Sequence, residues 1–382
     1  MIESPPFWMY LVGFLLLLGP LVTVHELGHY LVGRWFGVKA DAFSVGFGKE
    51  IAGFTDKHGT RWKLSLLPLG GYVQFRGDMN PASVPDPKAI AAADAVDREG
   101  SFHHAALWKR ALIVAAGPVT NIVVALAIFA AFFAINGRPN IEFPENSTVV
   151  AKFAPDSVAE KAGVEVGDRI VAINDEPVAD FSELIDKVAL YPNKSIELTV
   201  ERAGSRLEFP IVIGSSVETD AFGNKATVGR LGVFRPELGE PKITYETVGI
   251  LGSVPAAVDQ SGKIFDMMLT GIGQVLRGDR ALDELGGPIK IAKYSGEQLS
   301  LGWITFINFV ALISLNLAFI NLLPIPALDG GHLAFYAAEA IRRKPVGPQA
   351  TEWAYRTGIA VVLLLMVVVT VNDLISLPIF GS

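Results

Sequence analysis

Four stretches of this chain are long and apolar enough to cross a lipid bilayer, and that limits its fold more than any other feature. They run from about Phe7 to Leu31, Leu107 to Ile135, Trp303 to Leu323 and Gly358 to Ile379, each near the roughly 20 residues that a helix needs to span the hydrocarbon core. Helices satisfy every backbone group within themselves, so they can stand in lipid. The expectation is a polytopic α-helical membrane protein with four transmembrane helices and one long insert. The leader Met1-Ile2-Glu3-Ser4 carries no positive charge, and no small-residue cleavage site follows it. The first stretch therefore reads as a retained helix rather than a cleaved signal.

Lys and Arg collect on the cytoplasmic side of membrane proteins. Nine of them lie between the first and second stretches, from Arg34 to Arg98, with Lys109 and Arg110 at the start of the second, and Arg342, Arg343, Lys344 and Arg356 lie between the third and fourth. Both of those loops are expected in the cytoplasm. Both termini and the segment from Asn136 to Ser300 are then outside, which in a bacterium is the periplasm. This divides the chain into an N-terminal membrane half (1–135), an outside domain (136–235), an outside helical segment (236–300) and a C-terminal membrane half (301–382). A net charge of −7 without a basic cluster argues against a nucleic-acid partner. The absence of cysteine excludes disulfides and thiolate metal sites.

The first stretch contains His25-Glu26-Leu27-Gly28-His29. Residues four apart stand over one another on a helix, so His25 and His29 can offer two imidazoles to one zinc ion. Glu26 lies about 100° round the helix, placed to act as general base on a water at the metal. Each of these polar groups costs a few kcal/mol in a membrane, and residues that do so are functional by default. A catalytic zinc takes a third protein ligand. After the third stretch comes Asn321-Leu322-Leu323-Pro324-Ile325-Pro326-Ala327-Leu328-Asp329-Gly330-Gly331-His332. Broken backbone at membrane depth is tolerated only where it is buried or lines a wet cavity. Asp329 is the candidate ligand there and His332 its rival. Charge places this stretch and the His25 segment at the same membrane face.

Between the first two stretches, Trp62, Leu64 and Leu66 alternate with Lys63 and Ser65, a strand period. Gly70-Gly71 reads as a turn and Tyr72-Val73-Gln74-Phe75 as the return, giving a β-hairpin. The stretch Gly77 to Gly100, rich in Ala, Pro and Asp, reads as a solvated cytoplasmic loop. In the insert, Ser147 to Phe153 reads as a strand, Asp156 to Gly163 as a short capped helix and Gly167 to Asn174 as a turn and strand. An amphipathic helix follows from Phe181 to Leu190, then a strand from Ser195 to Arg202. Tyr245 to Ser300 reads as amphipathic helix, broken at Leu285-Gly286-Gly287-Pro288-Ile289.

Taken together, His25-Glu26-Leu27-Gly28-His29 and Leu328-Asp329-Gly330 resemble the double signature of the site-2 proteases, which are intramembrane zinc metalloproteases. Phe43 to Gly48, Pro68 to Val73 and Ala116-Gly117-Pro118-Val119-Thr120-Asn121 are similar to further motifs of its bacterial branch, which includes the regulator of sigma-E protease. The resemblance implies zinc on His25, His29 and Asp329, with Glu26 as the catalytic acid/base. It implies substrate handling by Asn316 and Asn321, and by a membrane-reentrant hairpin around Gly70, Gly71 and Tyr72 that pairs with the extended substrate. The rival readings are helix–helix hydrogen bonds for the two asparagines and an ordinary cytoplasmic hairpin.

The insert resembles one circularly permuted PDZ domain, with its groove between the Ser147 strand and the Phe181 helix. Such a domain could capture the end of a pre-cleaved substrate or filter substrates by size, and the sequence leaves both open. The implied reaction is cleavage within the span of a single-span protein in the bacterial inner membrane. A membrane-bound anti-sigma factor or a signal-peptide remnant would be the substrate. The alternatives are a non-catalytic PDZ membrane scaffold, which has no need of four costly polar groups in lipid, and a metal transporter, which should show inverted repeats that this sequence lacks.

Overall fold

The computed structural model describes residues 4–77, 99–144, 146–237, 242–278, 286–344 and 346–375. The loop read from Gly77 to Gly100 lies almost wholly outside them. The chain forms two compact units, one of residues 5–130, 257–265 and 285–382 and the other of 1–4, 131–256 and 266–284.

In the first unit the elements run α1 (Phe7–Trp35), β1 (Ala40–Thr55), β2 (Arg61–Phe75) and α2 (Leu107–Asn136, whose last turns belong to the other unit). Among the described residues, four helices are long and apolar enough to cross a membrane: α1, α2, Trp303–Leu322 and Gln349–Ile375. Leu17 and Leu21 of α1 are buried against Phe306, while Leu11, Leu16, Leu363 and Leu364 are exposed in the isolated chain. Such a surface is tolerable only in an apolar solvent.

β1 and β2 form an antiparallel pair whose reversal lies at Asp56–Thr60, with Thr55 opposite Arg61. The Asp56 carboxylate accepts the N–H groups of His58 (2.8 Å) and Thr60 (3.0 Å), a side-chain-stabilised turn. It also accepts Trp62 Nε1–H (3.0 Å) and the Tyr30 hydroxyl (3.2 Å), which ties the turn to α1. The strand expected over Trp62–Leu66 and the return over Tyr72–Phe75 are both present, and the chain does reverse at Gly70-Gly71. Ala42–Val45 lie opposite Arg61–Leu64, running the same way, and opposite Gly71–Gln74, running the other way, so the two arms of β2 flank β1 instead of pairing with each other. The Asp56 cage fixes the other reversal, from β1 into β2. Tyr30, Phe43, Val73, Phe75, Ile113 and Val114 form the core joining the hairpin to α1 and α2.

The second unit carries β3 (Arg138–Glu142), β4 (Lys152–Phe153), α3 (Val158–Lys161), β5 (Arg169–Ile173), β6 (Glu176–Pro177), α4 (Phe181–Ala189), β7 (Ser195–Arg202) and β8 (Ser205–Val212). After them come β9 (Gly214–Thr219), β10 (Lys225–Arg230), β11 (Val233–Phe234) and β12 (Lys242–Glu246). A four-stranded sheet of order β6-β5-β7-β8 covers a core with Ile170, Leu198, Val200, Ile211 and Leu184. Pairs β4–β11, β9–β10 and β3–β12 complete the sheet region. Ser157 caps α3 and Asp180 caps α4, each accepting the N–H three residues on, as the sequence suggests. Ser147 stands in a turn rather than a strand; its hydroxyl accepts the Phe181 N–H (3.3 Å).

Asp168 in this sheet is 1% exposed. It receives Arg202 Nε–H at 2.7 Å and Nη2–H at 2.8 Å, plus the Glu165 N–H at 2.8 Å. The Arg202 hydrogen bonds hold its carboxyl below the usual carboxylate range. Because the folded-state value is depressed, the contribution to stability is complete above the unfolded value of about 3.9 and is lost as pH falls through the folded value. Arg202→Ala leaves the carboxylate buried without its ion partner and is expected to cost about 3 kcal/mol at neutral pH. Hydrogen exchange of the β5 and β7 amides in the intact chain reads this directly. An unchanged exchange rate would show that the pair contributes nothing.

α5 (Gly249–Arg277) follows, its two ends in this unit and residues 257–265 in the other, and then come α6 (Pro288–Ser300), α7 (Trp303–Leu322), α8 (Asp329–Arg342) and α9 (Pro348–Ile375). The division differs from the one expected at residues 236 and 300. β12 pairs with β3 across the first boundary, and α6 belongs with the membrane helices, packing on α1. The buried carboxylate of Asp373, on α9, explains the second difference. It accepts the N–H groups of Gly287, Ile289 and Lys290 at 3.0–3.1 Å, so an acid in an apolar helix is satisfied by the open end of α6.

Candidate metal centre

Two breaks in regular structure bring the site together. α7 ends at Leu322 and α8 begins at Asp329, with Pro324 and Pro326 in the intervening turn. That turn places Asp329 in the first turn of α8 and against α1. Asp329 Oδ2 lies 3.2 Å from His25 Nε2 and 3.6 Å from His29 Nε2, and the two imidazole nitrogens are 3.2 Å apart. One ligand atom from each residue falls within 4.8 Å of the others. Two nitrogens and one oxygen are a donor set for catalytic zinc. The arrangement also suits a cation: the buried Asp329 Oδ2 meets no hydrogen-bond geometry among the described residues, and its polar neighbours are the two imidazole nitrogens, so a shared metal ion would satisfy all three.

α2 forms the wall behind the rings. The Ile113 carbonyl oxygen lies 2.9 Å from His29 Nδ1, and the Asn121 side-chain amide lies 3.2 Å from His25 Nδ1. Between them, Gly117 passes so close that a Cβ there would stand 2.3 Å from His29 Nε2 and 2.7 Å from His25 Nε2. Gly28 permits the same approach from α1, since a Cβ would lie 2.3 Å from Thr120 Oγ1. The two glycines let a pair of membrane helices meet at backbone distance.

Glu26 lines the same cavity of about 220 Å³ as His25, His29 and Asp329. Its Oε2 accepts the Val73 N–H at 3.1 Å, so β2 of the hairpin holds the carboxylate beside the metal-ready trio. Gly71, Tyr72 and Asn321 also line the cavity. Gly70 sits one residue further along β2 against the Phe47 ring, and Asn316 on α7 is not among the lining residues. His332, the rival ligand, lines the cavity, but its Nδ1 lies 2.7 Å from the Tyr355 hydroxyl and it stands outside the trio.

Sequence reasoning missed three of these contacts. The Ile113 carbonyl and the Val73 N–H are backbone groups and leave no residue signature. Asn121 did leave one, an amide in an apolar span, but only its place in a motif was noticed.

Three atoms that could hold a metal ion, with a carboxylate beside them and four helices able to cross a membrane, suit a membrane metalloprotease. Residues 13–365 match peptidase family M50. A provisionally named zinc metalloprotease of Rhizobium meliloti is 45% identical over 94% of this chain and 95% of its own length. One of Agrobacterium fabrum is 44% identical over 96% of each. Metalloprotease MmpA of Caulobacter vibrioides is 33% identical over 98% of this chain and 97% of its own. The chain belongs to peptidase family M50, the site-2 proteases; it is a zinc metalloprotease and a multi-pass membrane protein.

Proposed function

We propose that this enzyme hydrolyses a peptide bond inside the bilayer, within the span of a single-span substrate, using zinc held by His25, His29 and Asp329. The observation that carries the reading is the meeting of these three ligand atoms within 4.8 Å, from two helices far apart in sequence, α1 and α8, in the unit that holds the membrane-spanning candidates. Bound zinc lowers the pKa of water and polarises the scissile carbonyl. Glu26 takes the proton of the attacking water and returns one to the leaving amine nitrogen. The Val73 N–H aims its carboxylate.

A helical peptide bond is shielded, so the substrate has to unwind. β2 offers Gly71 and Tyr72 beside the cavity, where an extended segment can add as a strand. Asn321 lines the cavity on the opposite element and supplies an amide for the substrate backbone. Gly70 and Asn316 act at the margins, shaping the strand and the α7 face. The basic loops put the hairpin and α8 in the cytoplasm of a bacterium and both termini in the periplasm. The enzyme then resides in the inner membrane, and the PDZ-like region meets the outer end of a substrate already shortened by another protease. Membrane-bound anti-sigma factors and signal-peptide remnants have that form.

The test is to reconstitute the full chain with a single-span substrate and locate the cut by mass spectrometry. Cleavage within the apolar segment is expected. A cut confined to the soluble part of the substrate would overturn the intramembrane reading.

A further inference from the structure

We propose that Asn121 is a positioning residue whose side-chain oxygen accepts the Nδ1 proton of His25 and so turns the Nε2 lone pair toward the metal. The inference rests on the zinc site proposed above and names a residue outside it. A neutral imidazole carries one proton, and a nitrogen that ligates a metal must be free of it. If His25 ligates through Nε2, its proton sits on Nδ1 and needs an acceptor. The group there is the side-chain amide of the fully buried Asn121, placed with its Nδ2 end 3.2 Å from Nδ1.

The two ends of an amide have the same shape, and its two orientations differ in which ring nitrogen holds the proton. With the NH2 end toward His25, Nδ1 has to accept. The proton then sits on Nε2, among His29 Nε2 and Asp329 Oδ2, where a metal would bind. That orientation also leaves Asn121 Oδ1 buried with no hydrogen-bond partner among the described residues, a costly state for a carbonyl oxygen. Turning the amide over gives Oδ1 a donor and clears Nε2.

The neighbouring ring shows the same logic. His29 Nδ1 faces the Ile113 carbonyl oxygen at 2.9 Å, a group that can only accept, so its Nε2 is free. Ile113, Gly117 and Asn121 recur every four residues on one face of α2, so one helix sets both tautomers from either side of the glycine that lets it approach. The turn carrying Asn121 is held by Ser314, whose hydroxyl donates to the Asn121 backbone carbonyl at 2.8 Å.

The test measures zinc affinity of the purified full chain by chelator competition for wild type, Asn121→Leu and Asn121→Asp, with His25→Ala as control. Leu fills the space without an acceptor and is expected to weaken zinc binding about 10–100-fold, the range for lost outer-shell partners. Asp restores an acceptor oxygen and is expected to retain zinc as wild type does. Unchanged affinity in Asn121→Leu, or equal loss in both Asn121 variants, overturns the proposal. Zinc retained in His25→Ala would instead overturn the site itself. Should Asn121→Leu fail to fold, nitrogen-15 spectra of histidine-labelled wild-type and Asn121→Asp protein decide. A protonated His25 Nδ1 in the zinc form supports the assignment, and a bare Nδ1 refutes it.

Discussion

Glu26→Gln is expected to lower peptide hydrolysis by roughly 10²–10⁴-fold, the usual contribution of a general base, while zinc stays bound. Glu26 is not one of the three atoms that converge on the metal position. Glutamine has nearly the same shape, and its amide oxygen can still accept the Val73 N–H that the carboxylate now receives at 3.1 Å. The loss should therefore fall on proton transfer and leave the site assembled. Turnover of a reconstituted single-span substrate, read beside zinc per chain, separates the two. A variant that cleaves as fast as wild type would remove Glu26 from the reaction. One that has lost zinc would show that its role is structural.

Gly117→Ala is expected to abolish both zinc retention and turnover through one added methyl group. The new carbon would lie 2.3 Å from His29 Nε2, 2.5 Å from His29 Cε1 and 2.7 Å from His25 Nε2. These are rigid ring atoms, and each ring is held on its far side by α2 itself, at Ile113 and Asn121. Neither imidazole can yield without leaving its anchor, so the strain falls on the ligand geometry. Overpacking of this kind costs about 1–3 kcal/mol of stability, which a membrane bundle of this size should survive. Folded protein with no zinc is thus the expected state. Metal analysis of detergent-purified protein checks it, and a full zinc complement with normal turnover would show that α2 stands further from the rings.

The convergence of the candidate metal trio was partly legible in the sequence. The spacing of His25 and His29 needs only helical periodicity, and the cost of polar groups in lipid gives it meaning. Asp329 needed more, because nothing local distinguishes it from His332; the resemblance favoured it, and the Tyr355 hydroxyl occupies the rival. The spans emerged because length and hydropathy are enough to find them. The reversal at Gly70-Gly71 shows as a glycine pair, but the one at Asp56–Thr60 does not, since Asp56 acts through four contacts that appear only on folding. β8 was passed over because Pro210 interrupts an otherwise alternating run. β3 and β12 are short and find each other across about a hundred residues, a pairing that no local pattern announces.

The bond between the Val73 N–H and Glu26 has a consequence for where the enzyme would cut. Along a strand, successive N–H groups point to opposite edges, so a slip of β2 by one residue would take the donor away from the carboxylate. The hairpin and the base thus share one index mark. If substrate adds to β2 as proposed, it is measured from that mark, and the scissile bond is chosen by distance along the strand rather than by the identity of its side chains. The protease would carry its own ruler, with the zero set at Val73.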